Sequence, residues 1–282
     1  MVSTAVSPTG WTQAMASFLA SWQEKGCSGN TIDAYRNDMR QLAEFMNNRG
    51  VKTPNAATEE DLAAYTKHLE KHMSKATVAR KLASTRAFFG FARESGMLPV
   101  NPAESLVWQT VSSKRMRKLD EEEIKKLLVV CKEGYFPYRN QAMVQLAVRA
   151  GLSCSEIVSL QLADLCESES ALFVGTGQKR RMIPLPPECF EPIQDYVRWE
   201  RPRIPTSRRA SALFLSRRGD KMNRGSFWLM IKNFGKKAKI MDCCPQMLKL
   251  TAINLMLKQG MDADAVRDAI GLASTNKLGT YT

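Results

Sequence analysis

Apolar side chains recur at helical spacing through the first third of the chain. Trp11, Met15, Phe18, Leu19 and Trp22 share one face. Thr31 then opens a second helix whose stripe is Tyr35, Met39, Leu42 and Phe45, and Gly50 ends it. Thr58-x-x-Asp61 reads as a capping box, with Asp in place of the usual Glu, ahead of Leu62, Tyr65 and Leu69. Thr77 opens a fourth helix with Val78, Leu82, Phe89 and Ala92 inward; Gly96 closes it, and Asn101-Pro102 follows. Arg80, Lys81, Arg86 and Arg93 lie off that stripe. They read either as a solvated face or as phosphate contacts.

Between residues 103 and 118 the periodicity lapses, and Ser112-Ser113-Lys114-Arg115-Met116-Arg117-Lys118 is polar and basic, which reads as a linker. Beyond it, Asp120 caps a helix carrying Ile124, Leu127 and Leu128, and residues 139–150 form another, closed by Gly151. Residues 171–174 read as a strand, Gly175-Thr176-Gly177 as a turn and residues 179–185 as the returning strand. Gln178-Lys179-Arg180-Arg181 sits at the tip of this hairpin. Helices are expected near 188–200, 224–239, 245–259 and 262–270. No repeat of 20–50 residues is apparent.

Charge sharpens this picture. Of 282 residues, 41 are Lys or Arg and 28 are Asp or Glu, leaving +13. Residues 1–112 hold 12 of the basic and 10 of the acidic ones, so residues 113–282 hold 29 against 18. A basic second half points to a polyanionic partner, most often nucleic acid. No apolar run approaches the roughly 20 residues that span a bilayer, and residues 1–10 show no basic start followed by an apolar block, so neither a membrane span nor a secretion signal is expected.

The seven cysteines include the adjacent pair Cys243-Cys244 and no C-x-x-C. They read as reduced cytosolic thiols, and a cytoplasmic protein without metal or cofactor is expected. The two histidines are His68 and His72, so chemistry placed in the basic half must work without an imidazole of its own.

The order of elements resembles a tyrosine recombinase of the phage-integrase, Xer-like class. TIDAYRNDMRQLAEFMNNRG (residues 31–50) and ATVARKLASTRAFFGFARESGMLPVNPA (residues 76–103) are similar to the second and last helices of that family's core-binding domain. AGLSCSEIVSLQLADL (residues 150–165) resembles the segment that carries the first catalytic arginine. GTGQKRRMIPLP resembles the hairpin with the catalytic lysine, and residues 245–274 resemble the segment with His-x-x-Arg and a second His or Trp. Tyr281 falls where the nucleophile belongs. The resemblance implies a mainly α fold in two domains. Residues 1–103 would be a helical, SAM-like core-binding domain and 104–118 a basic linker. Residues 119–282 would be a mostly helical catalytic-type domain with a small antiparallel sheet.

The departures bear on chemistry. Ser153 stands at the first-arginine position, Gln246 and Lys249 at those of His-x-x-Arg, and Leu272 at that of the second His or Trp; Glu156, Lys179 and Tyr281 keep the pattern. In the family the tyrosine attacks a DNA phosphate, two arginines hold the non-bridging oxygens, histidine assists proton transfer and the lysine protonates the leaving oxygen. Losing one preorganised donor to developing charge costs about 10²–10³ in rate. Losing general acid–base help costs roughly another 10²–10⁴. Lys249 cannot reproduce a bidentate guanidinium, and Gln246 cannot exchange a proton near neutrality. Ser153 makes a capping box with Glu156, and Leu272 makes the pocket apolar.

The first reading is therefore a DNA-binding protein of the tyrosine recombinase fold without strand cleavage of its own: a pseudoenzyme from a mobile element, accessory to recombination or integration, or a regulator. Its partner would be double-stranded DNA, with an active recombinase or self-association as the protein partner. Contacts are expected from Arg80, Lys81 and Arg86; from Arg115, Arg117 and Lys118; from Lys179, Arg180 and Arg181; and from Arg217, Arg218, Arg224, Lys232, Lys236 and Lys237. Lys179 is either a relic of the general acid or a groove contact; Tyr281 is either a relic or a working nucleophile. An active divergent recombinase helped by a partner subunit, and a module that binds protein instead of DNA, are the alternatives. Only Thr282 follows Tyr281, which implies either a shortened chain or the absence of the family's cyclic assembly.

Overall fold

The computed structural model describes residues 10–27, 29–106, 116–177, 180–205 and 207–272; Arg115, Lys179 and Tyr281 lie outside them. The chain divides into two compact units between residues 114 and 115.

The first unit is four helices: α1 (Trp11–Glu24), α2 (Gly29–Asn48), α3 (Glu59–His72) and α4 (Lys75–Glu94). Its core is aromatic. Phe18 meets Phe88 edge-on at 5.5 Å, Trp11 stacks on Phe88, and the Trp11 indole donates to Val51 O at 3.0 Å. The Thr58–Asp61 capping box forms in both directions. Two helices start earlier than their hydrophobic stripes suggest. α2 begins at Gly29 rather than Thr31, and α4 begins at Lys75 under a Ser74 cap that accepts from Thr77 N.

Lys81 departs from expectation. It is buried on α4, donating to Asp38 at 3.1 Å and to Gln41 at 2.9 Å. Asp38 is itself buried on α2, also accepts from Ser84, and pairs with Arg80. Burial pushes the Asp38 carboxyl up, but the hydrogen bonds from Arg80, Ser84 and Lys81 more than offset this and hold it below the usual range. A buried carboxylate needs a buried counter-charge, so Lys81 is spent there and cannot reach DNA.

The second unit holds α5 (Glu121–Cys131), α6 (Pro137–Val148), α7 (Cys154–Ser159), α8 (Pro187–Asp195), α9 (Arg224–Lys237), α10 (Pro245–Lys258) and α11 (Ala263–Ile270). Its sheet is β1 (Leu165–Cys166), β2 (Ala171–Val174) and β3 (Arg181–Pro184), antiparallel in that order, with Leu172 opposite Ile183. β1 is only two residues long and leaves no sequence pattern. α6 is the central helix: Ala142 to Val148 are all buried. It starts at Pro137, before the expected 139. The Glu200 carboxylate accepts from the Tyr138 and Arg139 amides at 2.9 and 3.0 Å, doing the work of an N-cap that Phe136 cannot. The helix expected over 188–200 leaves α geometry at Asp195 and continues as a π-helical turn, Tyr196–Glu200. All seven cysteines are free thiols. Among the described residues no helix is long and apolar enough to cross a membrane.

Candidate functional site

Ser153 caps α7: its hydroxyl accepts from Glu156 N at 3.3 Å, while Glu156 Oε2 accepts from Ser153 N at 2.8 Å. The position where the resemblance places an arginine thus starts a helix. The other Glu156 oxygen accepts from Arg181 Nη2 at 2.7 Å. Arg181 Nε donates to Ala269 O at 3.1 Å, and Lys249 Nζ donates to Ile270 O at 3.2 Å. These two carbonyls belong to the last turn of α11. Two cations therefore neutralise the negative end of that helix, where main-chain acceptors lack intrahelical donors.

Close packing fixes the arrangement. Gly271 is left-handed at φ 68°, and a Cβ there would lie 2.8 Å from the Arg181 guanidinium. Gly151, ahead of Ser153, has no room either, since its Cβ would meet Ile270 Cγ2 at 2.8 Å. Burial lowers the pKa of Lys249; Glu156 opposes that fall and Arg181 adds to it. Burial pushes Glu156 up, but the Ser153 hydrogen bonds and Arg181 outweigh it and hold the carboxyl below its ordinary value.

The structure brings Ser153, Glu156, Arg181 and Lys249 together. Gln246 is exposed at the start of α10, one helical turn before Lys249. Leu272 packs with Ile253, Met256, Val266 and Ile270 beside it. Arg181 corrects an expectation: its guanidinium turns inward and is held by Glu156 and Ala269, so it does not present a free charge to a DNA groove. The signal was present in the sequence. Strand alternation puts Arg181 on the face of buried Ile183, opposite exposed Met182.

The remaining cations are distributed around the second unit, apart from Arg86, which is exposed on α4. Arg117 forks onto Glu123 at 2.7 and 2.8 Å, and Lys118 donates to Asn254. Arg180 lies over Phe173 and near Asp164. Arg217 lies 3.9 Å from the Tyr135 ring centroid, and Lys237 pairs with Glu133. On α9, Phe227, Ile231 and Gly235 face the core. Arg224 and Lys236 project outward without an ion pair among the described residues, and Lys232 lies over Trp228. No acidic residue occurs in that helix. Asn223 caps it, and Cys154 Sγ contacts Arg224 O at 3.9 Å, so this basic face begins beside Ser153.

Comparison with known proteins places this geometry. Residues 117–282 match the model of the phage integrase family, and residues 16–96 match that of the phage integrase N-terminal SAM-like domain. The chain is 29% identical over 265 residues to tyrosine recombinase XerC of Roseiflexus castenholzii, covering 92% of this chain and 84% of that one. It is 29% identical over 280 residues to XerD of Ralstonia nicotianae, covering 98% and 91%. Among solved structures, the Tn1549 transposon integrase in complex with circular intermediate DNA superposes with a TM-score of 0.75 at 18% identity, over 98% of this chain and 95% of that one. XerA recombinase gives 0.55 at 25% identity, over 96% and 93%. With the recombinase elements in order along nearly its whole length, the chain belongs to the phage integrase family, the tyrosine recombinases.

Proposed function

We propose that this protein binds double-stranded DNA as a member of its family but does not cleave strands by itself, acting as an accessory to recombination or integration or as a regulator. One observation carries the reading: among the described residues, the two cations clustered at Ser153, Arg181 and Lys249, already have partners inside the protein. Arg181 is held by Glu156 and Ala269 O, Lys249 by Ile270 O, and Ser153 ends as a helix cap. Among the described residues of that cluster, a phosphate would meet Arg181 with its guanidinium already engaged, not an open fork of the kind that holds charge on five-coordinate phosphorus. The DNA-bound state of the Tn1549 integrase, and the basic face of α9 beside the same centre, support DNA as the partner.

Two measurements test this. A nicked duplex that traps covalent intermediates should give no Tyr281-dependent adduct, alone or with an active recombinase; an adduct lost in Tyr281→Phe would establish cleavage instead. Gel shifts should show duplex binding that falls by about 10³-fold or more between 50 and 200 mM salt if six or more phosphates are neutralised. Reversing Arg224, Lys232 and Lys236 to Glu should weaken that binding and flatten its salt dependence. Absence of binding at low salt would favour a protein-binding module.

A further inference from the structure

Residues 198–218 contain seven arginines, no lysine and a single acidic residue, Glu200. Two of these charges are structural. Arg201 is buried and donates to the carbonyls of Ser207, Ala210, Ala212 and Leu213 at 2.6–3.2 Å. Glu200 is buried and caps α6 through Tyr138 N and Arg139 N. Arg139 Nη1 adds a bond to Leu215 O at 2.7 Å. Buried charges thus fasten three segments together: the start of α6, the π-helical turn and the loop from Ser207 to Leu215.

What these segments leave outside is of one kind. Arg198, Arg203, Arg208 and Arg209 are exposed and without an ion pair among the described residues. Trp199 is 52% exposed and Tyr138 is 37% exposed, and both adjoin Glu200, one by sequence and one by its backbone hydrogen bond. Neither the cluster at Ser153 nor the duplex contacts proposed above use any of these six side chains.

The composition selects a ligand. Arginine forks match phosphate oxygens, and a loop already pinned by Arg201 loses little freedom on binding. Cations alone would suit any polyanion, but the rings ask for a flat apolar partner. A duplex keeps its bases stacked on one another; a single strand offers phosphates and free base faces together. We propose that this surface binds single-stranded nucleic acid, with Arg203, Arg208 and Arg209 on phosphates and bases stacked on Trp199 and Tyr138.

The test uses the full chain with fluorescein-labelled oligothymidylate of about 20 nucleotides, long enough to span one binding surface, and a hairpin duplex as second probe. Arg208→Glu with Arg209→Glu should weaken oligothymidylate binding by about tenfold or more while duplex affinity stays within about twofold. Trp199→Ala should cost about fivefold or more on the single strand, and Trp199→Phe should restore most of it, since a stacking face is what is lost. Melting curves on each variant separate loss of fold from loss of ligand, and the alanine–phenylalanine pair still reads stacking if the arginine variant unfolds. The proposal is overturned if oligothymidylate does not bind, if both probes weaken equally, or if Trp199→Ala binds like the parent. Loss of duplex binding alone, after reversal on α9, would leave this surface intact and bear only on the duplex reading.

Discussion

Glu156 shows how one carboxylate sets the character of the cluster at Ser153. It closes the Ser153 cap with one oxygen and holds Arg181 with the other. Both side chains of the pair keep about a fifth of their surface exposed, 20% and 19%, so Glu156→Gln should cost about 2–3 kcal/mol, below the full penalty for breaking a buried pair. The pH dependence has a defined sign. The folded carboxyl titrates below its ordinary value of 4.5. Its stabilisation is therefore complete above the unfolded value and disappears as pH falls through the depressed folded one. Urea unfolding from pH 7 down to pH 3 should show the parent losing stability below about pH 4.5 and Glu156→Gln losing less. Equal slopes would mean that the carboxylate is not held as the geometry indicates. Lys249 behaves oppositely: one carbonyl is its hydrogen-bond partner and burial lowers its pKa. Lys249→Met should therefore be neutral or stabilising in the same assay, as replacement of a poorly compensated buried charge usually is.

At the scale of elements, helix propensity and packing pull apart at two glycines. Gly90 lies in α4, where an added methyl would meet nothing within 4 Å, so Gly90→Ala should stabilise by about 0.5–1 kcal/mol through the unfolded chain. Gly235 lies in α9, where a Cβ would come within 2.2 Å of Cys243 Cβ. There the same substitution should destabilise by about 1–3 kcal/mol, because the helix must move off the loop leading into α10. Thermal melts of the two variants decide this; a shift of equal sign would remove the close approach from the account. Capping was legible locally. Thr58–Asp61, Asp120–Glu123 and Ser153–Glu156 all form boxes, as their three-residue spacing indicates. Glu200 was not legible as the cap of α6, because it lies 62 residues from Tyr138.

At the scale of the molecule, each unit has its own core, one built on Phe18, Phe88 and Phe89 and the other around α6. A fragment covering residues 116–282 should therefore fold and melt cooperatively on its own. Circular dichroism of that fragment checks it, and a non-cooperative melt would show that the second unit needs the first. The family and the helical architecture were open to reading from the sequence, because stripes, caps and motif spacings are local or run in chain order. Tertiary structure alone decided which charges are available. Lys81 looks like a surface cation in a string of letters, and strand alternation turns Arg181 inward without naming its partner. Their fate depends on Asp38 and Glu156, which lie 43 and 25 residues away and must be neutralised once packing removes them from water.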